Sequence, residues 1–220
     1  LNKNLSFQEK IRSDFLADFS HEIKTPISAI KCYLEGIEDK VFSMDEKTIG
    51  LLHKEIDRLI KISTSIMDFE AIDRLENASC EPARNDFTAM LHHIKEEYKP
   101  NLTKNKQKIE FKGEKKFFIE VDEQKWMQLL HNIVSNFLKY SGSKTTLTVS
   151  YFHDIDWTHI LFADDGTGVP VKELPFLKEK FYKVDKSRNS SHERGMGIGL
   201  SVVDKIIELH QGILSFDSEV

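Results

Sequence analysis

The chain has 220 residues, 40% of them apolar and 30% charged, the balance of an ordinary folded protein with room for more than one core. Its 31 Lys and Arg against 36 Asp and Glu leave a net charge of -5, which argues against a general nucleic-acid or anionic-membrane surface. No run approaches the roughly 18 apolar residues a membrane-spanning helix needs. Cys32 and Cys80 show neither metal-ligand spacing nor a disulfide framework, so a reducing cytoplasm is the expected setting. The chain opens on Leu1 in a helical run already at full stride, and an upstream portion is therefore expected.

From Phe15 the apolar residues Phe15, Phe19, Ile23, Ile27, Ile30, Leu34 and Ile37 recur at steps of three and four, predicting a helix with one buried stripe. A polar break over 38–45 precedes a second such series, Ile49, Leu52, Ile56, Leu59, Ile66 and Phe69, which ends before Glu81-Pro82. Two arms of this length cannot bury their stripes on each other alone, so a homodimer is expected, with the two hairpins forming a four-helix bundle. Pro26 falls inside the first arm and should bend or loosen it just after His21.

Beyond Pro82 the pattern mixes periods. It predicts a helix over 87–98, strands over 108–112 and 117–121, a helix over 122–140, strands over 145–151 and 159–163, and a helix over 199–210 before Ile213-Leu214-Ser215-Phe216. This reads as an α+β sandwich with helices on one sheet face. Two domains are expected, 1–80 and 81–220, with a hinge over 77–84.

Four segments carry chemistry. In Ser20-His21-Glu22-Ile23-Lys24-Thr25-Pro26 a histidine stands beside a carboxylate, and Glu22 can hold one ring nitrogen while the other attacks phosphorus. Along 131–140, Asn132, Asn136, Lys139 and Tyr140 fall at helical steps; amide oxygens suit Mg2+ and an ammonium suits phosphate. In Asp164-Asp165-Gly166-Thr167-Gly168-Val169-Pro170, Asp164 suits the amino group of adenine, while Gly166 and Gly168 let backbone approach the ring. Gly195-Met196-Gly197-Ile198-Gly199-Leu200 opens a helix, where unpaired backbone donors and the helix dipole favour phosphate. Singly, each of the last three reads equally as a solvated helix face, a turn or a plain helix start; their order and spacing after His21 carry the weight.

The first of these segments resembles the H-box of bacterial two-component sensor histidine kinases, and the other three resemble the N, G1 and G2 boxes. Phe181-Tyr182-Lys183-Val184-Asp185-Lys186-Ser187-Arg188 looks like the F-box and the start of the ATP lid, so the match spans nearly the whole chain. The resemblance implies an all-α helical-hairpin dimerisation and phosphoacceptor domain over 1–80 and an ATP-binding domain of the GHKL type over 81–220. It implies ATP-dependent phosphorylation of His21 with Glu22 as the activating base, transfer to an aspartate of a response regulator, and a phosphatase role for Thr25. Asn136 would hold Mg2+ with Asn132 nearby. Lys139, Tyr140 and Arg188 would flank the phosphates or base, Asp164 would select adenine, and Gly166, Gly168, Gly195, Gly197 and Gly199 would line the nucleotide. The fragment itself would be cytoplasmic, touching neither membrane nor nucleic acid, within a membrane-anchored sensor. Two positions depart from the family pattern: Phe137, where a small residue is usual, and Lys178, where the F-box usually has its first phenylalanine. They are expected to crowd the pocket and loosen the lid's anchorage. The alternatives are a degenerate kinase acting as phosphatase or dimeric scaffold, and an ATPase of the gyrase and Hsp90 type, against which the H-box speaks.

Overall fold

The computed structural model describes residues 2–75, 79–184 and 197–219 and divides into two compact units, Leu1–Ala71 and Ile72–Val220. In the first, helices α1 (Asn2–Glu38) and α2 (Glu46–Leu75) are joined by the turn 39–45. The amides of Val41 and Phe42 close on the Gly36 carbonyl, with Lys40 in the left-handed region at φ 59. The Phe42 ring lies over Gly36 so closely that a Cβ there would sit 2.3 Å from it, and it also meets Tyr33 at a centroid distance of 5.9 Å. Asp45 then starts α2 by accepting from the Thr48 amide at 2.8 Å, and that bond holds its carboxyl below the usual range.

Helix α1 runs unbroken through Pro26, whose side chain is fully buried. Proline removes one intrahelical donor. The ring is packed, and the helical backbone continues on both sides of it. The stripe residues Ile27 and Leu34 remain about half exposed.

The second unit begins with β1 (Ala83–Asp86), α3 (Phe87–Glu97) and α4 (Lys99–Asn105). It continues with β2 (Lys108–Lys112), β3 (Phe118–Val121), α5 (Glu123–Tyr140), β4 (Thr146–His153) and β5 (Thr158–Asp164), and closes with a 3₁₀ turn (Val171–Phe176) and α6 (Gly199–Leu209). Strands β1 and β3 pair antiparallel, while β4 lies between β2, parallel to it, and β5, antiparallel to it. Along β4, Leu147, Val149 and Tyr151 are buried and the alternate residues Thr146, Thr148 and Ser150 are not, so the period of two directs one face to the helices. Phe87 is fully buried at the centre of this core, edge-on to Trp126 and Tyr151.

Helix α5 is the spine of the site. Trp126, Leu130, Val134 and Phe137 are buried at steps of four, four and three, one continuous face at 100° per residue. Asn132 falls on the opposite face, and Asn136 lies one turn on, at the edge of the buried face beside Leu129. Asp122 caps the helix by accepting from the Lys125 amide at 3.2 Å, and Lys125 Nζ returns to its other oxygen at 2.6 Å. Beyond the C-terminus, buried Gln107 donates to Gly142 O at 2.7 Å and fixes the turn that follows Ser141.

Candidate functional site

In the first unit His21 is exposed and Glu22 half-buried, as neighbours 100° apart on a helix must differ. Among the described residues the imidazole and the Glu22 carboxylate share no hydrogen bond. Thr25, also exposed, donates its hydroxyl to the His21 carbonyl at 2.9 Å. That bond is local to the turn and keeps the hydroxyl beside the histidine.

In the second unit three sequence-predicted segments meet around α5. Asn132 donates Nδ2 to the Gln128 carbonyl one turn earlier at 2.9 Å, which turns its Oδ1 toward the start of α6. A Cβ on Gly199 would lie 2.9 Å from that oxygen and 3.6 Å from Asn136 Nδ2. Glycine is therefore what lets the helix start sit against the two amides. No side chain caps α6 at Ile198, so the first-turn amides keep their donor capacity.

The turn after β5 reaches the other end of α5. Asp164 Oδ1 accepts from Gly166 N at 2.9 Å, and a Cβ on Gly166 would lie 2.7 Å from Ser141 Cα, at the helix C-cap. The turn is thereby set next to Lys139 and Tyr140, the last residues of α5, both exposed. Asp165 serves the sheet instead, accepting from Thr146 N. Gly168 adopts φ 67, where a Cβ would come 2.4 Å from Glu219 O. Gly197, at φ 74, abuts the Tyr182 carbonyl, and its own carbonyl accepts from Phe181 N at 2.8 Å. Arg188 and Gly195 lie outside the described residues.

The two departures read differently in three dimensions. Phe137 is buried on the core side of α5 with Val134 and Leu130, so its bulk is taken up in the packing of the helix. Lys178 reaches Asp204 on α6 at 3.8 Å, a polar anchor in place of an aromatic one. Burial raises the Asp204 carboxyl above its usual range, with Lys178 acting in the opposite sense. Sequence reading passed over Gln128 and Ser141, and it named Tyr182 only within the F-box, without its partners. Gln128 was legible from spacing, four residues before Asn132, whereas Ser141 and Tyr182 act through contacts that only the fold creates.

A helical hairpin thus precedes a unit of helices and strands in which asparagines of one helix are set against a glycine-led helix start. Residues 11–75 match the His Kinase A (phospho-acceptor) domain, and residues 121–220 match the domain described as Histidine kinase-, DNA gyrase B-, and HSP90-like ATPase. The chain belongs to the two-component sensor histidine kinases. It is 27% identical over 213 residues to the sensor histidine kinase YclK of Bacillus subtilis and 29% identical over 213 residues to BaeS of Escherichia coli. Both alignments cover 96% of this chain and 45% of the relative, so the chain spans less than half the length of these curated relatives. The solved structure of the Acinetobacter baumannii histidine kinase AdeS superposes with a TM-score of 0.64 at 23% identity, covering 86% of each chain. The histidine kinase ThkA, solved in complex with the response regulator TrrA, gives 0.62 at 16% identity over 83% of this chain and 53% of that one. At these identities the structures speak to the fold. Among the described residues no helix is long and apolar enough to cross a membrane.

Proposed function

We propose that this chain is the catalytic core of a sensor kinase that transfers the γ-phosphoryl group of ATP to His21 and passes it to an aspartate of a response regulator. The observation that carries the reading is the seat of Gly199 against Asn132 and Asn136, which joins an uncapped helix start to two oriented amides. In this reading residues 1–80 form the phosphoacceptor domain and 81–220 the ATP-binding domain.

The donor set fits a hard cation: Asn132 has its Nδ2 committed to Gln128, leaving its Oδ1 for a ligand, and Asn136 presents a second amide one turn on. Bound Mg2+ would neutralise phosphate charge, with Asn136 as its protein ligand. The free amides of α6 receive phosphate oxygens, Lys139 adds a point charge, and Tyr140 flanks the nucleotide. Asp164 accepts from the adenine amino group with its carboxylate already held by the Gly166 amide, while Gly166 and Gly168 keep the turn free of side chains. Arg188, Gly195 and Gly197 are assigned to the phosphate side by the family pattern.

At His21 one ring nitrogen attacks the γ-phosphorus, the N–P bond forms as the bridging P–O bond breaks, and ADP leaves. The proton on the other nitrogen moves toward Glu22, which needs a rotamer change from the arrangement described here. In the reverse sense, Thr25 keeps two lone pairs beside His21 and suits a water attacking the phosphorylated partner, which supports a phosphatase activity. The half-exposed Ile27 and Leu34 support a homodimer through α1 and α2. A cytoplasmic setting within a membrane-anchored sensor completes the reading.

Incubation with Mg2+ and γ-labelled ATP, beside His21→Ala, tests it. Label that is lost in acid, stable in alkali and absent from His21→Ala is the expected result. Acid-stable label, or label that survives the substitution, would overturn it.

A further inference from the structure

We propose that Tyr182 is a positioning residue that ties the Asp164–Val169 turn to Gly197, holding two nucleotide-facing stretches of backbone at one spacing. The inference rests on the ATP reading above. Three contacts meet at this residue, and a fourth fixes its partner. Its hydroxyl donates to Glu173 Oε2, in the 3₁₀ turn that begins directly after the Asp164–Val169 turn and Pro170. Glu173 is itself fixed to that turn, since its amide donates to Pro170 O at 2.8 Å. The Tyr182 carbonyl lies against Gly197, 2.5 Å from where a Cβ would stand. The Tyr182 ring packs on Phe176 with centroids 5.4 Å apart.

The surrounding backbone shows that this arrangement is held from several sides. Phe181 sits at φ 69, a left-handed value a bulky residue adopts only when its neighbours enforce it, while its amide donates to Gly197 O at 2.8 Å. The side chain of Glu173 is only 18% exposed, so its carboxylate is shielded from water and its bond to the phenol is charge-assisted. Burial, then the Glu173 bond, push the Tyr182 phenol up to about 12, which keeps it a donor throughout the working pH range. One hydroxyl thus links the turn proposed to read the base with the glycine that opens the phosphate segment. Neither Tyr182 nor Glu173 needs to touch the nucleotide for this role.

Titration calorimetry of Mg-ATP binding, with KM and kcat of autophosphorylation and a melting curve for each variant, separates the possibilities. Tyr182→Phe keeps the ring on Phe176 and removes only the hydroxyl; it should weaken ATP binding and raise KM about tenfold to hundredfold, the worth of one charge-assisted hydrogen bond, with kcat held. Glu173→Gln retains an acceptor oxygen but loses the charge and should fall between the parent and Tyr182→Phe, Glu173→Ala should match Tyr182→Phe, and the double variant of Tyr182→Phe with Glu173→Ala should be no worse than either single one. Unchanged affinity in Tyr182→Phe, additive losses in the double variant, or a fall in kcat at constant KM would each overturn the proposal. Absence of any ATP heat from the parent chain would instead overturn the nucleotide reading on which it stands.

Discussion

Replacing Gly199 with alanine separates the seat of the nucleotide from the stability of the fold. The new methyl would stand 2.9 Å from Asn132 Oδ1 and 3.6 Å from Asn136 Nδ2, so the Asn132 side chain must rotate and surrender its 2.9 Å bond to Gln128. That bond is worth about 0.5–1.5 kcal/mol. Against it, alanine is favoured over glycine in a helix by up to about 1 kcal/mol, and less in the first turn. The two nearly cancel, and for a unit of this size a residual of about 1 kcal/mol moves the melting temperature by only about 4 °C. Ligand binding has no such compensation. Losing one oriented amide toward a charged ligand costs about 1.5–3 kcal/mol, or ten- to hundredfold in affinity. Calorimetry with Mg-ATP and a thermal scan of the same protein give both quantities. Unchanged affinity would refute the assignment of Gly199 and Asn132 to the nucleotide, and loss of affinity together with collapse of the melting transition would show that the contact serves folding instead.

Three further outcomes are expected. Gly197→Ala places a methyl 2.5 Å from main-chain Tyr182 O at φ 74, with no side chain to give way, and should cost at least about 2 kcal/mol of stability by chemical denaturation; a midpoint equal to the parent's would count against the strain argument. At Asp122 burial pushes the carboxyl up, but the hydrogen bonds from Lys125 and Glu81 outweigh it and leave the group below its unfolded value. Its contribution is therefore present at neutral pH and fades as pH falls below about 4 through the folded value, so Asp122→Ala should lower stability by about 1–2 kcal/mol at pH 7 and by much less at pH 3. An equal deficit at both pH values contradicts this. Ile27→Asp puts a charge on the exposed stripe of α1, where Ile27 is 50% and Leu34 47% exposed, and sedimentation should report a monomer; a dimer of parental stability would place the interface elsewhere.

The long periodic elements were legible in the sequence because burial imposes the period directly. Helix α5 shows this best, with five buried residues and the two asparagines all at helical steps within Glu123–Tyr140. Strand β1, Ala83–Asp86, was missed because its residues carry no apolar alternation; it exists through its pairing with β3, a partner more than thirty positions away in numbering. Helix α4 is polar and short, closed by Lys106 at φ 57, and local pattern cannot announce such an element. Phe117 was read as part of a strand. It is buried, but its carbonyl accepts from Phe87 N, and the paired strand begins at Phe118. In the site, residue types were readable and their partners were not. Asp164 and Asp165 look equivalent in sequence, yet one holds its own turn and the other the edge of β4.

Proline inside α1 has a mechanical corollary. Without an amide hydrogen at position 26, the Glu22 carbonyl lacks the rung that would brace it, while the Thr25 hydroxyl already occupies the His21 carbonyl one step earlier. The helix therefore lacks one backbone rung in the turn beside the exposed imidazole, and bending there costs one hydrogen bond less.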